Sequence, residues 1–138
     1  MAALILATLL LAGCVAHGAL LPLPPLADPD NAAEIIVLRE SRFTGSGATW
    51  PVTLNGFEVY GIRVGEHVVL RVPPGDHIIG SRYLGLTFSW EDVTVRFRAE
   101  PRGTYYFRID PGFGQVLVNP LPPETGRALQ MTTTRIPP

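Results

Sequence analysis

The chain has 138 residues, of which 46% are hydrophobic, and a formal net charge of -1. This length predicts a single domain. The near-neutral charge argues against a nucleic-acid-binding protein, in which a basic face is expected. The single cysteine excludes an intramolecular disulfide.

The N-terminal segment carries the most informative pattern. Residues 2–13 are uncharged and rich in Leu and Ala, and about 12 such residues match the apolar core of a signal peptide rather than the ~20 of a membrane span. The run Leu11-Ala12-Gly13-Cys14 resembles a bacterial lipobox. The resemblance implies that residues 1–13 are a signal peptide and that Cys14 carries a diacylglycerol.

Two other interpretations of this segment stay open. The uncharged run continues past Cys14 to Leu21, so an uncleaved membrane anchor or a plain secretory signal is one alternative, and a buried core helix is another. In enteric lipoproteins an Asp after the lipidated Cys favours retention in the inner membrane. Val15 stands there in this chain, which by resemblance implies the outer membrane, facing the periplasm.

Residues 14–33 are predicted to form a tether between the lipidated Cys and the domain. Four prolines, Pro22, Pro24, Pro25 and Pro29, disfavour a helix and remove ladder donors. We expect a semi-rigid polyproline-II stalk, about 3.1 Å long per residue. A Pro-rich peptide ligand for another domain is the alternative.

The folded domain is predicted over residues 34–130 as an all-β, single antiparallel β-sandwich of about eight short strands. Asn55-Gly56 supplies the two positive φ values of a type I′ turn and predicts a hairpin. A short helix is expected at 122–130, and 131–138 is expected to be a flexible tail. The predicted strands are 35–38, 50–54, 57–63, 67–72, 76–82, 93–98, 104–109 and 115–119.

Face assignments follow from alternation along the strands. In 93–98 the apolar residues alternate with Thr and Arg, and in 104–109 Tyr105, Phe107 and Ile109 are expected to face inward. Strand 76–82 leaves two possibilities open: Ile78 and Gly80 inward, or His77, Ile79 and Ser81 inward. Residues 83–90 either extend this strand or form a loop.

Residues 34–130 resemble a family of small bacterial lipoproteins of unknown function, related to the short β-sandwich modules named for a Pro-Glu-Gly-Ala motif. Four segments carry the resemblance: 35–39 followed by Phe43 and Gly45, Val-Thr-Leu-Asn-Gly at 52–56, Val-Pro-Pro-Gly-Asp-His at 72–77, and Tyr-Tyr-Phe-Arg-Ile at 105–109. The resemblance implies a fold and a cellular location but no reaction.

No residue set in the chain identifies a reaction. His67 and His77 are each preceded by an acidic residue, and imidazole and carboxylate groups are metal ligands, so the pattern suggests a metal site. Pairing of their strands about the Pro-Pro-Gly turn would place His67 opposite a residue near 81, so the two rings would not meet. The structural interpretation is a His77 ring hydrogen-bonded to backbone at the turn. No serine lies in a nucleophile elbow beside a base.

The predicted binding face consists of Arg96, Arg98, Tyr106 and Arg108, whose strands are expected to be neighbours. Arg and Tyr dominate interface hot spots, although a solvated Arg face is the simpler interpretation. Trp50, Trp90 or Tyr106 stacking on sugar rings is a further possibility, against packing in the core or rim.

The sequence thus predicts a lipid-anchored bacterial envelope protein, membrane-bound through Cys14, with a non-catalytic binding or structural role and no cofactor or metal. Its expected partner is an envelope protein or a cell-wall polymer, and not nucleic acid. The alternatives are a carbohydrate-contacting module, or a metal-binding or hydrolytic protein that uses His67 and His77.

Overall fold

The computed structural model describes residues 16–41 and 48–137. Cys14 with the rest of 1–15, and Phe43 and Gly45 in 42–47, lie outside the described residues. The strands are β1 (Gly18–Ala19), β2 (Ala33–Leu38), β3 (Trp50–Leu54), β4 (Phe57–Ile62), β5 (Glu66–Val72), β6 (Gly75–Leu84), β7 (Trp90–Ala99), β8 (Thr104–Pro111), β9 (Val116–Leu121) and β10 (Thr134–Arg135). A 3₁₀ helix (Pro29–Asn31) and an α-helix, α1 (Pro123–Thr132), complete the described elements.

These strands form two five-stranded sheets packed face to face, which confirms the all-β sandwich. The first sheet has the order β1-β4-β3-β6-β7, and the second has the order β10-β5-β2-β8-β9. The eight predicted strands correspond to β2–β9, and the two added strands have two residues each. The core lies between the sheets and is built mainly of Val, Ile and Leu side chains, with Phe107 and Tyr60 as its large aromatic members.

The second sheet is mixed rather than purely antiparallel, which corrects the prediction. Strand β2 pairs in parallel with β8, with Glu34 opposite Thr104, and β10 pairs in parallel with β5. A parallel pair needs a long crossover, and the chain between β2 and β8 supplies one by building most of the first sheet. Alternation in the sequence gives a strand's faces but does not give its neighbours.

The hairpin at Asn55-Gly56 is confirmed. Leu54 pairs with Phe57 across the turn, and φ is +52° at Asn55 and +89° at Gly56. Both values belong to the left-handed region that a type I′ turn requires. This hairpin marks one end of the sandwich, which we call the hairpin end.

The middle of the second sheet is buried on both faces, because α1 covers part of the side that faces away from the first sheet. Ile36, Leu38, Val69 and Tyr106 form a separate apolar cluster there, with Leu129 of α1 packed on it. This double burial explains the unbroken apolar run of β2, where both inward and outward side chains are needed to fill space.

Strand β6 settles the alternative that the sequence left open. His77, Ile79 and Ser81 face inward, and the buried Ser81 hydroxyl donates to the carbonyl of Pro51. Gly80 is also buried. A larger residue would not fit there, because the carbonyl of Val93 and the side chain of Thr53 occupy the space that a Cβ would need. The strand ends at Leu84, and residues 85–89 form a loop.

Candidate functional site

One end of the sandwich, opposite the hairpin end, receives the N-terminal chain, and we call it the entry end. Antiparallel β1 places Gly18 opposite Gly61, so that Ala16 lies beside the last residues of β4. Trp50 pairs with Ile62 at the same level. The β4–β5 turn at residues 63–65, the β6–β7 loop at 85–89 and the β8–β9 loop at 112–115 all lie at this end, as the strand registers require.

The N-terminal segment is attached to the domain from His17 onward, so the prediction of a free Pro-rich stalk is wrong for the part that the structure describes. His17 Nε2 lies 2.8 Å from Glu66 Oε1, and Leu20 N–H donates to the carbonyl of Val59 over 3.0 Å. Leu23 packs against the core. The prolines disfavour a helix in this segment, but the apolar residues between them favour contact with the sheet over exposure to water.

The predicted flexible tail at 131–138 is also attached where it is described. Strand β10 pairs with β5, and Ile136 N–H donates to the carbonyl of His67 over 3.0 Å. Short N- and C-terminal strands therefore cover the outer edges of β4 and β5. Covering an edge in this way removes a template for pairing with other chains.

A buried arginine closes the core at the entry end. Arg39 is 2% exposed, and its Nη1 donates to the carbonyls of Ala48 and Ile62 over 2.8 and 3.0 Å. Its guanidinium carbon lies 3.6 Å from the ring centre of Trp50, a cation–π arrangement. Burial lowers the pKa of Arg39 to about 10, against the opposing charge of Glu66. The group is therefore charged at neutral pH and acts as a structural link between the sheets.

The four residues of the predicted binding face do not share one face. Arg96 and Arg98 are exposed on β7 in the first sheet, whereas Tyr106 and Arg108 belong to β8 in the second sheet. The turn after Ala99 carries the chain from one sheet to the other, so β7 and β8 are not hairpin neighbours. The expectation of adjacent strands is therefore wrong, and it failed because a short turn does not reveal whether the chain changes sheet.

Tyr106 and Arg108 are engaged within the protein. Tyr106 is 6% exposed and lies beneath Gly126 of α1. Arg108 is half-buried and forms ion pairs with Glu40 over 2.9 Å and with Asp110 over 2.7 Å. The hydrogen bond to Asp110, the largest contribution, raises the pKa of Arg108 above its usual value. Neither side chain presents a free binding group.

Arg96 and Arg98 keep their exposed position on the outer face of β7. Arg98 Nη1 lies 3.4 Å from Asp76 Oδ1, and both side chains are largely exposed. Arg96 lines, with Asp76 and His77, an open cavity of about 440 Å³. These two arginines remain the part of the predicted binding face that a partner can reach.

The two histidines lie in opposing sheets, so the expected pairing of their strands is wrong. His77 Nε2 donates to the carbonyl of Pro73 over 2.7 Å, and its Nδ1 accepts from Asn55 Nδ2 over 3.0 Å. This confirms the structural interpretation of the turn. His67 Nδ1 lies 2.8 Å from Thr133 Oγ1, and burial is the main cause that lowers its pKa. Within 16–41 and 48–137, no group of three or more His, Cys, Asp or Glu residues suits a metal ion.

Four exposed apolar side chains of the entry end lie in or beside two touching loops and were not predicted. Leu86, Phe88 and Trp90 at the β6–β7 connection are 81%, 87% and 58% exposed, and Phe113 at the β8–β9 connection is fully exposed. Leu86 lies against the backbone of Gly114, so the loops are in contact. We call these four residues the apolar tip. Its sequence signature is an uncharged stretch, 84–90, with an apolar residue at every second position.

The tryptophans proposed for sugar stacking differ in availability. Trp50 is half-buried beneath Arg39, and Tyr106 lies under α1, so of the three candidates only Trp90 presents an exposed ring.

No family model, curated protein or solved structure matches this chain. The likeness to small bacterial lipoproteins therefore stays a prediction. Over the described part of the chain, no helix has the length and apolar character needed to cross a membrane.

Proposed function

We propose that this chain is a lipid-anchored protein of the bacterial cell envelope, with a non-catalytic binding or structural role. In this proposal residues 1–13 are removed as a signal peptide, and Cys14 becomes the lipidated N-terminus, held in the outer membrane on the periplasmic side. The main support is the lipobox-like run Leu11-Ala12-Gly13-Cys14 at the end of an uncharged apolar segment of signal-peptide length. An anchored Cys also accounts for a lone thiol in an exported protein.

The attachment of the N-terminal segment determines how such an anchor would hold the domain. Only Val15 and Ala16 separate Cys14 from His17, whose side chain contacts Glu66 of the sandwich. Three residue steps span at most about 10 Å. A lipid on Cys14 would therefore hold the entry end at the membrane surface, in place of the stalk expected from the prolines.

The binding role is supported by what remains exposed. Arg96 and Arg98 face outward on β7, in a position that an envelope protein can reach. Arg is enriched at interface hot spots, and these two side chains would lie well away from the entry end. The carbohydrate-contacting alternative rests on Trp90 alone.

Mass spectrometry of the protein purified from membranes tests the anchor. We expect an N-terminus at Cys14 that carries diacylglycerol, and no such species from the Cys14→Ser variant. A mature chain that keeps residues 1–13 with a free thiol would contradict the proposal.

Crosslinking in cells tests the binding role and should identify a partner protein. The double change Arg96→Ala and Arg98→Ala should then abolish this crosslink. The Arg102→Ala variant, which alters an exposed arginine of the β7–β8 turn, serves as the matched control.

A further inference from the structure

We infer that the apolar tip is a second membrane contact, which seats the entry end of the sandwich on the lipid bilayer beside the N-terminal anchor. The inference rests on the proposed function for the anchor at Cys14. It adds a protein surface that touches the lipid directly and fixes the orientation of the domain.

The first argument is position. The strand registers place Ala16 and both loops of the apolar tip at the same end of the molecule. In the first sheet, β1 is three strand spacings from β6 and four from β7, so the N-terminal chain and the β6–β7 loop are separated by roughly 15–20 Å along the entry end. The chain that leaves toward Cys14 and the apolar tip therefore meet the same surface.

The second argument is chemistry. Residues 84–90 and 111–115 contain no charged side chain, so moving them to a membrane interface desolvates no charge. Aromatic residues are enriched at that depth, and Trp places its apolar ring and its N–H at the boundary between lipid and water. A tip with two Phe, one Trp and one Leu, all more than half exposed, has the composition of an interfacial anchor.

The third argument is the backbone at Phe88. Its φ is +59°, in the left-handed region that a bulky residue rarely adopts. The turn is closed by the Phe88 N–H, which donates to the carbonyl of Gly85 over 3.0 Å. This conformation costs free energy, yet the ring it holds is 87% exposed and returns no packing to the fold. An outlier of this kind points to a role outside folding.

The described charged groups on β6 and β7 next to the tip are already paired, and their position sets how far the tip could enter the interface. Tyr83 donates to Glu91 over 2.9 Å, and Arg82 pairs with Asp92 over 2.7 Å and with Glu58 over 3.2 Å. Tyr83 and Glu91 lie one residue below the Leu84–Trp90 pair on β6 and β7, and Arg82 and Asp92 lie two residues below it, whereas Glu58 lies on β4. They would remain in water at the headgroup level while Leu86, Phe88 and Phe113 enter the interface.

The experiment uses the full lipidated protein in phosphatidylcholine vesicles whose acyl chains are brominated near the headgroup. Bromine quenches a tryptophan that touches it, so we expect loss of most of the Trp90 emission. The Trp90→Phe variant isolates the signal, because its remaining emission comes from the half-buried Trp50. The double change Phe88→Ser and Phe113→Ser should reduce the quenching while leaving the thermal unfolding temperature unchanged.

A matched control moves the probe to the hairpin end. Phe57 is 66% exposed there, and Phe57→Trp in the Trp90→Phe background should give an emission that the bromines leave unquenched. Equal quenching of this hairpin-end probe and of Trp90, or no quenching of Trp90, would overturn the inference. Protection of Trp90 through a concentration-dependent dimer, without bromine quenching, would also overturn it, in favour of a second copy on the tip.

Mass spectrometry of the same samples separates the two proposals. A lipid on Cys14 together with an unquenched Trp90 contradicts the membrane contact and leaves the anchor standing. Quenched Trp90 in a protein without lipid on Cys14 contradicts the anchor and supports the membrane contact.

Discussion

Gly126 of α1 allows the helix to lie directly on the ring of Tyr106, and Gly126→Ala tests this packing. A Cβ added at Gly126 would lie 2.5 Å from Tyr106 Cβ and Cδ1 and closer still to Cγ. Carbon atoms in contact are about 3.5–4.0 Å apart, so the helix would have to move away by roughly 1 Å or more. The change replaces the buried glycine of a ten-residue helix.

Two effects of Gly126→Ala oppose each other, and their sizes decide the result. Alanine improves helix propensity by about 1 kcal/mol, whereas overpacking a core contact costs about 1–3 kcal/mol, and occasionally more. Here the added Cβ meets the Cβ and the nearest ring atoms of Tyr106, which cannot move far without moving the backbone of β8, so little relief is available. Because the clash is severe, we take the upper end of the overpacking range, about 3 kcal/mol, and subtract the helix gain of about 1 kcal/mol. We therefore expect a net loss of about 2 kcal/mol in the free energy of unfolding.

Thermal unfolding followed by circular dichroism measures this effect. We expect Gly126→Ala to lower Tm by roughly 5–10 °C. The exposed neighbour Thr125 provides the control, because Thr125→Ala gains helix propensity without a clash and should leave Tm equal or slightly higher. If Gly126→Ala behaves like the control, α1 does not rest on Tyr106, and the conclusion that this tyrosine is unavailable to a partner would be refuted.

Three further predictions concern the entry end of the sandwich. Burial lowers the pKa of His67 from its usual value of 6.5, so below about pH 6.5 the unfolded chain binds more protons at this residue than the folded protein does. The free energy of unfolding should therefore fall as the pH drops below about 6.5. His67→Gln should reduce this pH dependence in a series of denaturant unfolding measurements at different pH. Gly61→Ala would place a Cβ against the carbonyl of Ala16, so hydrogen exchange should become faster in β1 while amides of the other core strands stay protected. Arg39→Met removes the donor to the buried carbonyl of Ile62 and to the less buried carbonyl of Ala48. Leaving the buried acceptor unpaired should cost about 1–3 kcal/mol in urea unfolding. A loss below about 0.5 kcal/mol, less than one ordinary hydrogen bond contributes, would contradict the structural link.

The local features of this fold could be predicted because nearby residues determine them. Asn55-Gly56 fixes the hairpin through its own backbone preferences, and the alternation in 93–98 fixes the faces of β7. The short helix predicted at 122–130 is observed as α1 at Pro123–Thr132, with Glu124 in its first turn as its charge placement favours. Each of these depends on interactions between residues close together in the sequence.

The candidate site was predicted less well, because it depends on which strands are neighbours. Arg98 and Tyr106 are close in sequence, yet they belong to different sheets. Tyr106 occupies the outward position that alternation gave it, but α1, which follows much later in the chain, covers that face. The prolines of the N-terminal segment described backbone preference correctly and gave no information about Gly61, whose missing side chain lets the segment approach β4.

Folding does not account for the apolar tip. Burying a Phe side chain contributes about 1.5–3 kcal/mol, and Phe113, which is fully exposed, contributes none of this to the fold. At the hairpin end, by contrast, the turns are made of Asn, Gly, Pro, Glu and Arg, and among the described residues there Phe57 alone is an exposed large aromatic residue. The two ends of one sandwich thus differ in the kind of surface they offer, and the apolar one is the end from which the chain runs back toward Cys14. A lipid bilayer at that end would bury these side chains, and no other described part of the protein does so.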